Sequence, residues 1–297
     1  MKELNLARPE HVISLATAAV LVSIDMRIWS ATKQDAAISN EVTNSKKAER
    51  SAGRFTKHLL ADNPEHKAIM NYRGTMHQWL KTRTYPWAAG QYCLPAINIP
   101  RFMQEYADHE ENFKSLVDKF ISKYPGIVSN MAFVQGDMFD RNEYPTAEEA
   151  RKLFRLSMFT SEVPQGDFRV QLAPALAEDL HNHYTRESQT LIRDIVTTQA
   201  QQLVDVMQAI SHTCTVETLP DGKVKRNRIH TSTIKRALEL CDTVKNFNVG
   251  DDVELATVAD KLEQALYGCD GGIEADSKRT AVKNDVDSIL SKFRVRV

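Results

Sequence analysis

The chain has 297 residues, 42% hydrophobic and 26% charged, which is enough apolar material for one large domain or two ordinary ones. Its 38 basic and 39 acidic side chains nearly cancel, which excludes a global field for nucleic acid or membrane and leaves only local charged sites. Four widely spaced cysteines (Cys93, Cys214, Cys241, Cys269) form no CxxC and no dense framework, so they read as reduced thiols of a cytoplasmic protein.

The first 26 residues lack a basic region leading into an uninterrupted apolar one, so no signal peptide is expected. No run approaches the ~20 apolar residues of a membrane span. Val20, Val22, Ile24, Met26 and Ile28 alternate with Leu21, Ser23, Asp25, Arg27 and Trp29, the period of a half-buried strand. Asn63-Pro64 supplies a cap and a first-turn proline for a helix reaching about Lys81. A second helix is expected over 98–123, interrupted at Pro125-Gly126.

Between these helices, residues 81–102 read KTRTYPWAAGQYCLPAINIPRF. Tyr85, Trp87 and Tyr92 alternate with Pro86, Gly90 and Pro95, beside Lys81, Arg83 and Arg101. Two readings are open: a surface loop anchored by buried aromatics, or a protein-contact loop presenting Tyr85, Trp87, Tyr92 and Arg101 as rigid anchors.

Thr146-Ala147-Glu148-Glu149 after Pro145 is a capping-box pattern opening a short helix. Phe154, Leu156 and Met158 then alternate with polar residues, as do Phe168, Val170 and Leu172 beyond a turn-like connector at 163–167. From 175 to 214 there is neither Gly nor Pro, which predicts a helix of ~60 Å. A helix of that length needs a partner, either the 98–132 helix in an antiparallel hairpin or another subunit. Asp221-Gly222 predicts a β-hairpin over 214–229, and helices are expected at 231–247, 252–267 and 276–293.

The fold class expected is therefore α+β and predominantly helical, with a small antiparallel sheet, a long helical hairpin and a C-terminal helical region. Residues 1–214 would form a sheet-and-hairpin domain, and 215–297 a hairpin and helical region packed on it.

No phosphate loop, dinucleotide fingerprint, nucleophile elbow or HExxH is found, so no cofactor, metal or catalytic residue is expected. His181 and His183 lie two apart on a helix and do not share a face. The acids at 108–111 and 148–149 read as solvated faces and helix-dipole partners. Asp270 to Asp276 lacks the ligand spacing of a calcium loop. The basic run Lys223, Lys225, Arg226, Arg228, Lys235 and Arg236 contains no acid and suits a phosphate backbone, although it equally suits a hairpin edge that resists aggregation.

Several short stretches carry a resemblance: Leu21-Val22-Ser23-Ile24 ending in Trp29-Ser30-Ala31, Ala52-Gly53-Arg54-Phe55, Thr84-Tyr85-Pro86-Trp87, Leu94-Pro95-Ala96, Tyr144-Pro145-Thr146-Ala147-Glu148 and Gly166-Asp167-Phe168-Arg169-Val170. In these the chain resembles an uncharacterised family of tailed-bacteriophage and prophage proteins, often encoded near a MoxR-like AAA+ ATPase and a von Willebrand factor A protein resembling cobaltochelatase subunits. The resemblance implies phage origin, action in the host cytoplasm, and a role as adaptor or substrate of such an ATPase. A non-catalytic, self-associating accessory protein that binds a protein partner is the leading expectation. A nucleic-acid-binding accessory of phage replication or recombination is the alternative.

Overall fold

A computed structural model describes residues 15–88, 90–164, 174–218, 224–227, 229–249, 252–269, 272–273 and 275–293. The elements in chain order are β1 (Ala19–Arg27), β2 (Thr32–Asp35), α1 (Ala36–Ser45), β3 (Phe55–His58), α2 (Pro64–Arg83), β4 (Tyr85–Pro86) and β5 (Tyr92–Pro95). Then follow α3 (Ile99–Gln135), α4 (Ala147–Lys152), β6 (Arg155–Glu162), α5 (Pro174–Cys214), β7 (Val216–Thr218), β8 (Val224–Arg226), α6 (Thr231–Asn246), α7 (Val253–Ala265) and α8 (Asp276–Phe293). The expected class holds: helix predominates, with a four-stranded sheet in the order β4-β5-β1-β6 and two small antiparallel pairs, β2-β3 and β7-β8.

The chain divides into two compact units, but not near residue 214 as expected. The first comprises Met1–Val22, Thr84–Pro100 and Thr160–Val297; the second comprises Ser23–Arg83 and Arg101–Phe159. The expected boundary fails because α5 and the C-terminal helices share one core. Val196, Leu203, Met207 and Ile210 of α5 are buried with Ile234, Cys241 and Val244 of α6, Leu255 and Leu262 of α7, and Val286 of α8. The long helix thus finds partners within its own unit, whereas the 98–132 helix expected to pair with it belongs largely to the second.

The first unit has another core, and the broken segment at 84–100 builds much of it. Tyr85, Trp87 and Cys93 are buried with Ala19 and Leu21 of β1, Ile192 and Ile195 of α5, and Phe247. Ala19 to Val22 pair antiparallel with Pro95 to Tyr92, and Tyr85-Pro86 pair with Cys93-Tyr92. The prolines now have a reason. Pro86 sits on the sheet's edge strand, where a missing N–H costs no ladder bond, and Pro95 closes β5 before the next helical turn. Between the strands, Trp87 N–H donates to Gln91 O (3.0 Å), and Gly90 takes φ +83° in this turn, where a β-carbon would strain the backbone. Simple alternation along β1 would leave Leu21 on a polar face. Leu21 is instead buried in the core with Ala19, Tyr85 and Cys93, and Val22 beside it is buried too, so both faces of the sheet are covered at this end of β1.

In the second unit Asn63 Oδ1 accepts His66 N–H (3.1 Å) and starts α2, as the Asn-Pro signal requires. The Thr146–Glu149 capping box also forms, with both reciprocal bonds present. α3 does not stop at Pro125. An interior proline costs ~3 kcal/mol, but Phe120, Ile121, Tyr124, Ile127, Val128 and Met131 keep one buried stripe in phase across it. Several such side chains at ~1.5–3 kcal/mol each outweigh the missing bond. Gly126, beside the proline, has an ordinary helical φ, and a β-carbon added to it would meet nothing within 4 Å. Gly126→Ala should raise stability by about 1 kcal/mol in urea unfolding, through the lost freedom of the unfolded chain.

The hairpin expected over 214–229 pairs as β7-β8, while its Asp221-Gly222 turn lies outside the described residues. The strand expected at 168–172 lies outside them as well.

Candidate interaction surfaces

The residues singled out by sequence fall into unequal places. Tyr85 and Trp87 are core residues, Trp87 only 9% exposed, so they do not present themselves to a partner. Tyr85 stacks on Phe247 with ring centroids 5.8 Å apart, and burial pushes its phenol up to about 12. Tyr92 is half-buried within β5. Arg101 is exposed but turned inward chemically, its Nε donating to Glu105 Oε1 (2.8 Å).

Glu105 is a hub. Its Oε2 accepts Trp79 Nε1–H (2.7 Å) and Arg83 Nε–H (2.8 Å), and its Oε1 also accepts Arg83 Nη2–H (2.8 Å). Burial opposes ionisation, but the bonds from Trp79, Arg101 and Arg83 together hold the carboxyl below its ordinary value. Trp79 in turn stacks on Phe102 (4.6 Å). These groups tie α2 to α3, and every donor points at one carboxylate. The arrangement fixes the two helices to each other.

The basic run is less free than its sequence suggests. Arg226 forms a two-pronged pair with Asp276, fifty residues on, at 2.7 Å through both Nε and Nη2. Lys235 and Arg236 are exposed on the first turns of α6. Lys223 and Arg228 lie outside the described residues, as does the side chain of Lys225.

One cluster has catalytic-looking members that the sequence could not bring together. Ser211 Oγ donates to Asp287 Oδ1 (2.6 Å), and Lys283 Nζ reaches both Ser211 Oγ (3.1 Å) and Asp287 Oδ2 (2.6 Å). A shallow cavity of about 340 Å³ borders it, with His212 on the rim. A Ser–Lys hydrolase needs a neutral lysine to take the serine proton. Here the ammonium is neutralised by Asp287, whose own carboxyl is lowered by the bonds from Lys283 and Ser211. The cluster clamps α5 to α8.

The four cysteines are all buried and unpaired. Burial pushes the Cys93 and Cys241 thiols up to about 12, far from a reactive thiolate. His181 and His183 are exposed on α5. Among the described residues no group of three or more His, Cys, Asp or Glu is placed to hold a metal ion, and no helix is long and apolar enough to cross a membrane.

Two surfaces escaped the sequence reading. At the end of α3, Phe133 is 87% exposed, with Val134 and Met138 exposed beside it in the chain. The signal was available: the buried stripe of α3 passes through Val128, Met131 and Gln135, and Phe133 and Val134 fall out of phase with it. The other is the outward face of α2, where Lys67, Arg73, His77 and Lys81 are exposed.

No protein-family model, no curated protein and no solved structure matches this chain.

Proposed function

We propose that this is a non-catalytic accessory protein that associates with itself and with a protein partner, in keeping with the phage proteins its motifs resemble. One observation carries the reading: Phe133 is 87% exposed near the end of α3, and Val134 next to it and Met138 five residues on are exposed as well. Exposed aromatic groups are common anchors of protein interfaces, and a large apolar side chain is costly to leave in water. The partner implied by the resemblance is a MoxR-like AAA+ ATPase; a host factor is the other candidate.

Sedimentation velocity tests self-association. The intact protein should gain mass with concentration, and Phe133→Asp should remain monomeric with an unchanged melting temperature, since the side chain contributes almost nothing to a core. A wild-type protein that is monomeric throughout, or a Phe133→Asp variant that still associates, would remove the anchor.

A second reading, a nucleic-acid-binding accessory of replication or recombination, is favoured by a separate observation, the basic face of α2.

A further inference from the structure

We infer that the outward face of α2 is a binding surface for the phosphate backbone of double-stranded DNA. The inference deepens the nucleic-acid reading and moves its surface away from the basic run at 223–236.

Lys67, Asn71, Gly74, Gln78 and Lys81 follow one another at three- and four-residue intervals, so they form a single stripe along α2, with His77 and Arg73 on its flank. From Lys67 to Lys81 the stripe is about 21 Å long. All of these residues are exposed. Solvated helix faces normally interleave the two signs of charge, and this one does not. The only acid in α2 is Glu65, and its carboxylate is held by Lys123 Nζ at 2.5 Å. No carboxylate among the described residues pairs with Lys67, Arg73, His77 or Lys81. Arg73 Nη2 reaches the neutral Met26 O at 3.4 Å, which leaves its charge uncompensated. A run of uncompensated cations in a chain of net charge −1 is a local field with one complement, a polyanion.

The shape fits the same ligand. A β-carbon at Gly74, in the middle of the stripe, would meet nothing within 4 Å, and this glycine floors a shallow open groove of about 580 Å³ between Met70, His77 and Lys81. Backbone can therefore approach backbone there. Asn71 and Gln78 add neutral donors suited to phosphate oxygens. An anionic bilayer fits poorly, because an interfacial helix needs an apolar face and Met70 is the one large apolar side chain exposed here. Single strands fit poorly as well, since the stripe offers no aromatic platform for stacking bases. A duplex major groove, ~12 Å wide, accepts a helix.

The test is a fluorescence-anisotropy titration of the full chain with a labelled DNA duplex of about 20 base pairs, repeated between about 50 and 200 mM salt. The wild type should bind with strong salt dependence. Lys67→Glu/Arg73→Glu/Lys81→Glu should weaken binding at least tenfold and reduce the salt slope by about 3. Thermal melting checks that the triple variant folds. If it does not, Lys67→Gln/Lys81→Gln replaces it and should reduce the slope by about 2. Unchanged binding by these variants, with binding lost on Lys235→Glu/Arg236→Glu, would overturn the inference and keep the nucleic-acid reading. No duplex binding at low salt, or binding only to phosphatidylserine vesicles, would overturn both.

Discussion

Trp87→Ala is expected to cost the fold about 3–5 kcal/mol, the range for deleting a buried aromatic. Trp87 is buried with Tyr85, Cys93, Ile192 and Phe247, and its neighbours come from β1, β4, β5 and α5, so no single element can relax into the space left. The indole stands in a turn whose backbone is already fixed by the Trp87–Gln91 bond and by the left-handed Gly90, which limits collapse further. Urea unfolding is the measurement, with the midpoint falling and the slope unchanged. A variant that keeps its stability and loses only a binding activity would return Trp87 to the contact role, the other of the two readings its sequence leaves open.

The second large effect concerns a buried charge. Lys57 of β3 is 4% exposed; its Nζ donates to Met138 O at 2.6 Å and pairs with a carboxylate oxygen of Glu143. Lys33 approaches the other Glu143 oxygen at 3.4 Å from an exposed position, where a pair contributes little. Glu143→Ala would leave the Lys57 ammonium buried against one carbonyl, and the expected loss is about 3–5 kcal/mol. Lys57→Met/Glu143→Leu should recover most of that loss, because removing both charges also removes the desolvation cost. Urea midpoints of the single and double variants decide it. A double variant as unstable as the single one would show that packing, and not unpaired charge, sets the loss.

Much of the architecture is legible because it rests on local rules. Asn63-Pro64, Thr146 to Glu149, and the Gly- and Pro-free stretch after Pro174 each declare a boundary through a few adjacent residues, and each element begins where those residues place it. The misreadings come from contacts made at long range. Pro125 reads as a stop because its cost is local, whereas the stripe that outweighs it is visible only once α3 has a core to face. The segment at 84–100 reads as a loop because its strands are short and its partners, Ala19 to Val22 and Phe247, lie far away in the chain. The boundary at 214 fails for the same reason, since α5 shares its apolar side chains with helices that follow it.

The candidate surfaces are legible to different degrees. The basic hairpin stands out as a run, yet the acid that binds Arg226 comes from Asp276. On α2 the cations are spread over fifteen positions and form a patch only after winding, with no single window of sequence dense enough to attract notice. Phe133 blends into the apolar run MAFV, and its isolation depends on phase within the helix.

Hydrogen–deuterium exchange of the intact protein at low and high concentration tests the central claim, a binding protein anchored by Phe133, most directly. The amides of residues 130–139 should slow selectively as concentration rises, and Phe133→Asp should abolish that difference. Identical exchange at both concentrations in this segment, or protection confined to other parts of the chain, would contradict the account.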